Sequence, residues 1–174
     1  MRTVNVVLTA SLGCPVDLKH VTNSRRHIVY DPKKFPGVIW KECQGACCLL
    51  FRSGKIVSCG ASSIAQGKRL VRQYARLIQK LNYPVTLTDI KVQTMTAAHT
   101  MGKRVYLEKL HSFLSPESDY SPEIFPGLIY KASKKSATVF HNGKIIISGG
   151  RCERDLEDFF NELICAIYLS NAIE

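Results

Sequence analysis

The chain lacks several features, and each absence removes a class of function. No apolar run approaches the roughly 20 residues that a membrane-spanning helix needs. The first residues, Met1-Arg2-Thr3-Val4-Asn5, carry no long apolar core of the signal-peptide kind. A soluble intracellular protein with no membrane partner is expected. The cysteines have neither paired C-x-x-C spacing nor a nearby histidine, so no metal is expected at the only cluster, Cys43, Cys47 and Cys48. Their number, seven, is odd, and most sit inside apolar stretches, which suits buried thiols in a reducing compartment. His20, His27, His99, His111 and His141 show no paired spacing with Cys or Asp. No nucleophile–base pair can be named, so neither an enzyme nor a cofactor is expected.

Acidic residues are scarce in one half only. Residues 1–90 hold 4 Asp+Glu against 14 Lys+Arg, whereas residues 91–174 hold 10 of each. The net charge of +10 therefore lies wholly in the first half. A basic face of that size suits a polyanion or an acidic partner protein.

What the chain does contain is a copy of itself. Tyr30-x-Pro32-x-x-Phe35-Pro36-Gly37-Val38-Ile39-Trp40-Lys41 returns as Tyr120-x-Pro122-x-x-Phe125-Pro126-Gly127-Leu128-Ile129-Tyr130-Lys131, 90 residues later. The block from Phe51 through Gly54 and Lys55 to Gly60 returns from Phe140 through Gly143 and Lys144 to Gly149, 89 residues later. Two matched blocks at a near-constant offset imply a pseudo-two-fold domain, with residues 1–89 as one repeat and 90–174 as the other. The period is too long for a solenoid array, and only two copies exist.

Each half predicts the same elements. A strand rich in β-branched residues comes first, at 4–12 and 90–96. A helical stretch follows, at 16–24 and 105–114. A turn-rich segment then ends in the Phe-Pro-Gly corner. Two or three strands come next, closed by hairpin turns at Ser53-Gly54 and Asn142-Gly143. A long helix ends each half. Ser62 and Ser63 can cap the first, which runs to about Leu81 with Ile64, Val71, Tyr74, Ile78 and Leu81 on one stripe. The second runs over about 153–168 and buries Leu156, Phe159, Phe160, Leu163 and Ile167. The class is α+β: an antiparallel sheet with helices on one face and the other face open.

The open face carries the function. Lys55, Val57 and Cys59 alternate onto one side of their strand, as do Lys144, Ile146 and Ser148. An apolar strip edged with lysine suits sugar and base edges, with lysines meeting phosphates. The DNA minor groove offers few hydrogen-bonding distinctions, so its readers rely on shape and apolar contact. Phe35 and Phe51 recur as Phe125 and Phe140, two beside Pro-Gly corners and two at strand ends. Apolar wedges of this kind unstack a base step and kink the duplex. An RNA-binding sheet would instead stack bases on aromatics in mid-strand. The first long helix carries Lys68, Arg69, Arg72, Arg76 and Lys80, and the second Glu153, Asp155, Glu157, Asp158 and Glu162. Such runs are either solvated faces or docking sites for different proteins.

The segments Leu12-Gly13-Cys14-x-x-Asp17-Leu18-Lys19, Tyr30-x-Pro32-Lys33-x-Phe35, Ser53-Gly54-Lys55, Tyr74-Ala75-Arg76-x-x-Gln79-Lys80-Leu81, Asp89-x-Lys91-x-Gln93 and Phe125-Pro126-Gly127-Leu128-Ile129-Tyr130 resemble the core of the TATA-box-binding protein family. The resemblance runs over nearly the whole chain, in both repeats. That family is itself the standing example of minor-groove kinking. The resemblance implies a saddle: a curved antiparallel ten-stranded sheet with four helices on its convex face. It implies wedges at Phe35, Phe51, Phe125 and Phe140, and minor-groove contacts at Asn5, Val7, Val57, Cys59, Thr94, Thr96, Thr138, Ile146 and Ser148. Phosphate contacts fall on Lys41, Lys55, Lys131 and Lys144.

Partner contacts are implied at two places. Ser121, Glu123 and Ile124 lie at the corner that meets transcription factor IIB in the family, and the first corner meets transcription factor IIA. Lys68, Arg69, Arg72, Arg76 and Lys80 match a docking helix. The sequence departs from the family at Thr94 and Ser121, where asparagine and glutamate are expected, and Cys59 stands in place of threonine. Thr96 and Thr138 occupy groove positions that are apolar in the family. The implied function is a nuclear transcription-initiation factor that binds double-stranded, A/T-rich promoter DNA with a shifted sequence preference. The alternative is a related factor that serves mainly as a protein-docking platform.

Overall fold

Residues 1–24, 26–41 and 45–174 are described in a computed structural model of the chain. Cys43, from the cysteine cluster, lies outside the described residues. The chain divides into two compact units, one of Asn5–Gln93 and one of Thr94–Glu174 together with Met1–Val4.

The first unit takes most of β1 (Arg2–Ser11), then α1 (Leu18–Ser24), β2 (Ile28–Val29), β3 (Gly37–Lys41), β4 (Cys47–Phe51), β5 (Lys55–Ala61) and α2 (Ile64–Gln79). Its strands lie in the order β2-β3-β4-β5-β1, each ladder antiparallel. The second unit repeats the plan. It takes the end of β6 (Thr88–Thr100), then α3 (Leu107–Leu114), β7 (Ser118–Asp119), β8 (Gly127–Ala132), β9 (Lys135–Phe140), β10 (Lys144–Gly150) and α4 (Glu153–Leu169). Its order is β6-β10-β9-β8-β7, again antiparallel throughout. The described residues thus form ten strands and four helices.

Alternation along the strands separates two faces. In β5, Ile56, Ser58 and Ala61 are buried while Val57 and Cys59 are only half-buried. In β10, Ile145 and Ile147 are buried and Ile146 and Ser148 half-buried. The buried set meets a helix. Val71, Tyr74 and Ile78 of α2 are buried, and α2 packs on β5. A Cβ at Gly67 would overlap the Leu8 side chain, so glycine lets α2 rest directly on β1. Leu156, Phe159, Leu163 and Ile167 of α4 are buried, and α4 packs on β10. Aromatic pairs tie helix to sheet in both units: Trp40 meets Tyr74 edge-on at 5.3 Å, and Tyr130 stacks on Phe159 at 5.5 Å. Each pair adds to the stabilisation from area burial.

Local signals account for most element ends. Ser63 caps α2 by accepting from the Gln66 N–H at 3.1 Å. Gly54 and Gly143 take φ of 82° and 78° in the two hairpin turns, a region that side chains disfavour. The short helices begin two residues later than expected. Asp17 Oδ1 accepts from Lys19 N at 2.9 Å and so starts α1 at Leu18. The Tyr106 N–H is committed to the Ala172 carbonyl at 2.7 Å, which holds Tyr106 extended ahead of α3. Strand β6 runs for 13 residues, well past the expected stretch. Phe160 is only half-buried, against expectation. Positions 156, 159, 163 and 167 follow the helical stripe, and 160 falls at its margin, edge-on to His99 at 4.8 Å.

Candidate nucleic-acid interface

The open face of each unit ends in a phenylalanine pair of nearly identical geometry. Phe35 meets Phe51 edge-on, with centroids 5.7 Å apart at 61°. Phe125 meets Phe140 at 5.9 Å and 64°. The corners that set these pairs are built alike. Asp31 O accepts from the N–H groups of Lys34 (3.0 Å) and Phe35 (2.9 Å), and Ser121 O accepts from Ile124 and Phe125, both at 2.9 Å. Glycine after the proline makes room for the rings: a Cβ at Gly37 would lie 2.9 Å from Phe35 Cε1 and 3.1 Å from Phe51 Cε1. At Gly127 the same distances are 2.8 Å to Phe125 and 3.1 Å to Phe140. Phe125 is 39% exposed, a large apolar surface left in water beside its partner ring.

Beside its phenylalanine pair, the ladder register of each unit lines up rows of half-buried side chains. In the first unit Ile39 pairs with Leu49, Leu49 with Val57 and Val57 with Thr9. A second row runs from Lys41 through Cys47 to Cys59. In the second unit Ile129 pairs with Thr138, Thr138 with Ile146 and Ile146 with Ala98. Its second row is Lys131, Ser136, Ser148 and Thr96. Val7 and Thr94 are half-buried as well. Asn5 Oδ1 accepts from Gly60 N at 2.8 Å, which fixes the amide and leaves its NH₂ as a donor. Lys41, Lys55, Lys131 and Lys144 are exposed at strand ends, and among the described residues none is ion-paired. Ile39, Leu49, Cys47, Thr9, Ile129, Ser136 and Ala98 join the expected residues on these rows, and alternation along their own strands is the signal that could have found them.

The thiols of the first row stay protonated at neutral pH. Burial pushes Cys47 and Cys59 up from the ordinary value, with the Lys41 charge partly opposing the rise at Cys47. Among the described residues no group of three His, Cys, Asp or Glu side chains could hold a metal ion, and no helix is long and apolar enough to cross a membrane.

Two further surfaces carry the expected partner residues. Arg69, Arg72, Arg76 and Lys80 line a groove of about 610 Å³ along α2, with Lys68 exposed beside it. Ile124 is 86% exposed at the second corner, next to exposed Glu123 and half-buried Ser121. The acidic helix is less free than its sequence implies. Asp155 Oδ2 accepts from Arg151 N at 3.0 Å and Cys152 N at 3.3 Å, and these bonds hold its carboxyl below the usual range. Glu162 accepts from the Tyr130 hydroxyl at 2.9 Å.

Comparison with known proteins now decides the family. The family model for transcription factor TFIID, or TATA-binding protein, matches residues 1–81 and 89–168. The chain belongs to the TATA-binding protein family. It is 36% identical to the TBP-related factor of Drosophila melanogaster, over 98% of this chain and 77% of that protein. It is 35% identical to the TATA-box-binding protein of Dictyostelium discoideum, over 91% of this chain and 79% of the other. Against the TATA box-binding protein-like 2 of Takifugu rubripes, 36% identical, it spans 50% of the relative's length. Its fold matches Methanococcus jannaschii TBP with a TM-score of 0.86, at 27% identity, covering 96% of this chain and 97% of that one. The TATA-binding protein family comprises DNA-binding transcription-initiation factors, and this membership places the chain among them.

Proposed function

We propose that this TATA-binding protein family member acts in the nucleus by laying the open face of each unit in the minor groove of an A/T-rich promoter duplex. The repeated phenylalanine pair is the observation that supports this most. Two edge-on pairs, each beside a corner glycine that accommodates the rings, offer one wedge per unit. A wedge entering a base step costs unstacking, which the added contacts of a bent duplex offset; members of this family are the standing example. Lys41, Lys55, Lys131 and Lys144 meet phosphates and release counterions, so binding weakens as salt rises. Asn5, Val7, Val57, Cys59, Thr94, Thr96, Thr138, Ile146 and Ser148 line the groove floor. Ser121, Glu123 and Ile124 receive a transcription factor IIB-like protein. The first corner and the basic face of α2 receive transcription factor IIA-like or other acidic partners.

The test is retention and bending of a random-sequence duplex pool, with sequencing of the retained DNA. Short A/T-rich sites with a large bend are expected. Phe51→Ala and Phe125→Ala should each weaken the bent complex by at least ~1 kcal/mol, the scale of a lost apolar wedge. Unchanged affinity and bend would remove the wedge assignment. Failure to retain any duplex at low salt would favour a protein-docking factor, a role supported by the basic groove along α2.

A further inference from the structure

The open faces of the two units share one geometry and differ in chemistry. The repeat offset of 89 residues places Ser136 where the first unit has Cys47, Thr138 where it has Leu49, and Ser148 where it has Cys59. The same offset places Thr96 of β6 at the position that Val7 holds in β1. Each of these four positions carries a thiol or hydrocarbon in the first unit and a hydroxyl in the second. The hydroxyls are neighbours across the ladder: Ser136 pairs with Ser148, and Ser148 with Thr96. Ser136 Oγ and Ser148 Oγ lie 3.0 Å apart and share one proton, leaving the pair a second proton and spare lone pairs. The methyl of Thr138 lies against Gly127, while its hydroxyl has no protein partner among the described residues.

This difference bears on the one distinction the minor groove displays clearly. A·T and T·A pairs present only acceptors there, while a G·C pair adds the guanine 2-amino donor. Hydrocarbon gives that donor no partner, and thiol sulfur is a weak acceptor. A donor buried against Val7, Leu49 and the Cys47 and Cys59 thiols therefore loses its hydrogen bond to water without replacement. The one hydroxyl on the rows of the first unit, Thr9 Oγ1, already accepts from Gln93 Nε2 at 2.7 Å. Serine and threonine hydroxyls can accept it. Resting on the minor-groove binding proposed above, we infer that the hydroxyl cluster of the second unit accepts guanine's 2-amino group, so that the DNA site is asymmetric. The half-site under Thr94–Glu174 admits G·C pairs, and the half-site under Asn5–Gln93 is restricted to A·T pairs.

The experiment compares guanine with inosine, which lacks the 2-amino group, placed singly at each position of a retained site. With the full chain, binding ratios near one are expected in one half-site. In the other half-site guanine should bind ~5-fold or more below inosine, the cost of one unpaired donor. Replacing all four hydroxyls, with Thr96→Val, Ser136→Val, Thr138→Val and Ser148→Val, should impose the same ~5-fold loss in the tolerant half, read as the guanine-to-inosine ratio for that variant. The exchange in the other direction, Cys47→Ser with Leu49→Thr, should relieve the penalty in the strict half, a gain that misfolding cannot produce. Equal rejection of guanine in both halves, with A/T binding intact, overturns this inference alone. So does a guanine-to-inosine ratio unchanged in both variants. No binding to any duplex overturns the proposed function and this inference together.

Discussion

Replacing the corner glycines by alanine tests the phenylalanine pairs in the free protein, before any DNA is added. Gly37 and Gly127 both sit at the start of a strand with an ordinary φ, so alanine introduces no backbone strain there. It gains about 0.4–1 kcal/mol by restricting the unfolded chain. The cost is steric. At Gly37 the new methyl would meet Phe35 Cε1 at 2.9 Å, the Leu50 carbonyl oxygen at 3.0 Å and Phe51 Cε1 at 3.1 Å. At Gly127 it would meet Phe125 Cε1 at 2.8 Å, Thr138 Cγ2 at 2.9 Å and Phe140 Cε1 at 3.1 Å. Overpacking of this kind costs about 1–3 kcal/mol. The two sites differ in what can yield. Phe125 is 39% exposed and can swing outward. Leu50 O is backbone, and Leu50 pairs with Val38 on one side and Ile56 on the other, so moving it disturbs two ladders. After the entropic offset, Gly37→Ala should destabilise by about 2 kcal/mol and Gly127→Ala by about 1 kcal/mol or less. For a chain of this length, the Gly37→Ala melting point should fall by roughly 4–8 °C. Thermal and urea unfolding read both values. If Gly37→Ala melts at or above the parent temperature, the rings are not what that glycine accommodates, and if it costs less than Gly127→Ala, the Leu50 carbonyl does not make it the tighter site.

Two more outcomes follow from protonation states. Because burial raises the thiols of Cys47 and Cys59 above the ordinary 9.0, iodoacetamide should label them more slowly at pH 7 than exposed Cys152 and Cys165. Bound duplex should protect only the first pair, and mass spectrometry showing equal protection of all four would contradict the open-face placement. The Tyr130 hydroxyl is pushed from 10.0 to about 12, by burial first and then by its bond to Glu162. Its contribution to stability is therefore complete below pH 10 and lost as pH rises through about 12, so the parent should lose stability faster than Tyr130→Phe across that window. Parallel stability curves would refute the assignment.

The parts legible in the chain were those that depend on near neighbours. Gly54 and Gly143 mark their turns because only the local φ matters there. Ser63 caps α2 through the amide of Gln66, three residues on. The stripes of α2 and α4 follow helical periodicity, and the duplication matched Phe35 with Phe125 and Phe51 with Phe140, whereas the contact of Phe35 with Phe51 and of Phe125 with Phe140 came from the fold. Strands β2 and β7 were not legible, since two residues carry no periodicity. The acids of α4 read as one exposed run, but Glu162 is bound to the Tyr130 hydroxyl of β8, which only the tertiary fold brings near, while Asp155 is taken up locally by the N–H groups of Arg151 and Cys152 at the helix start. Which residues lie side by side on the open face was the main thing the tertiary structure decided. Alternation along one strand assigns a side chain to a face, as it did for Val57 and Ile146. Only the hydrogen-bonded register between strands puts Leu49 beside Val57, Thr138 beside Ile146, and Ser136 within 3.0 Å of Ser148. Register is a property of two strands at once, and a shift of one residue would turn every such neighbour to the opposite face.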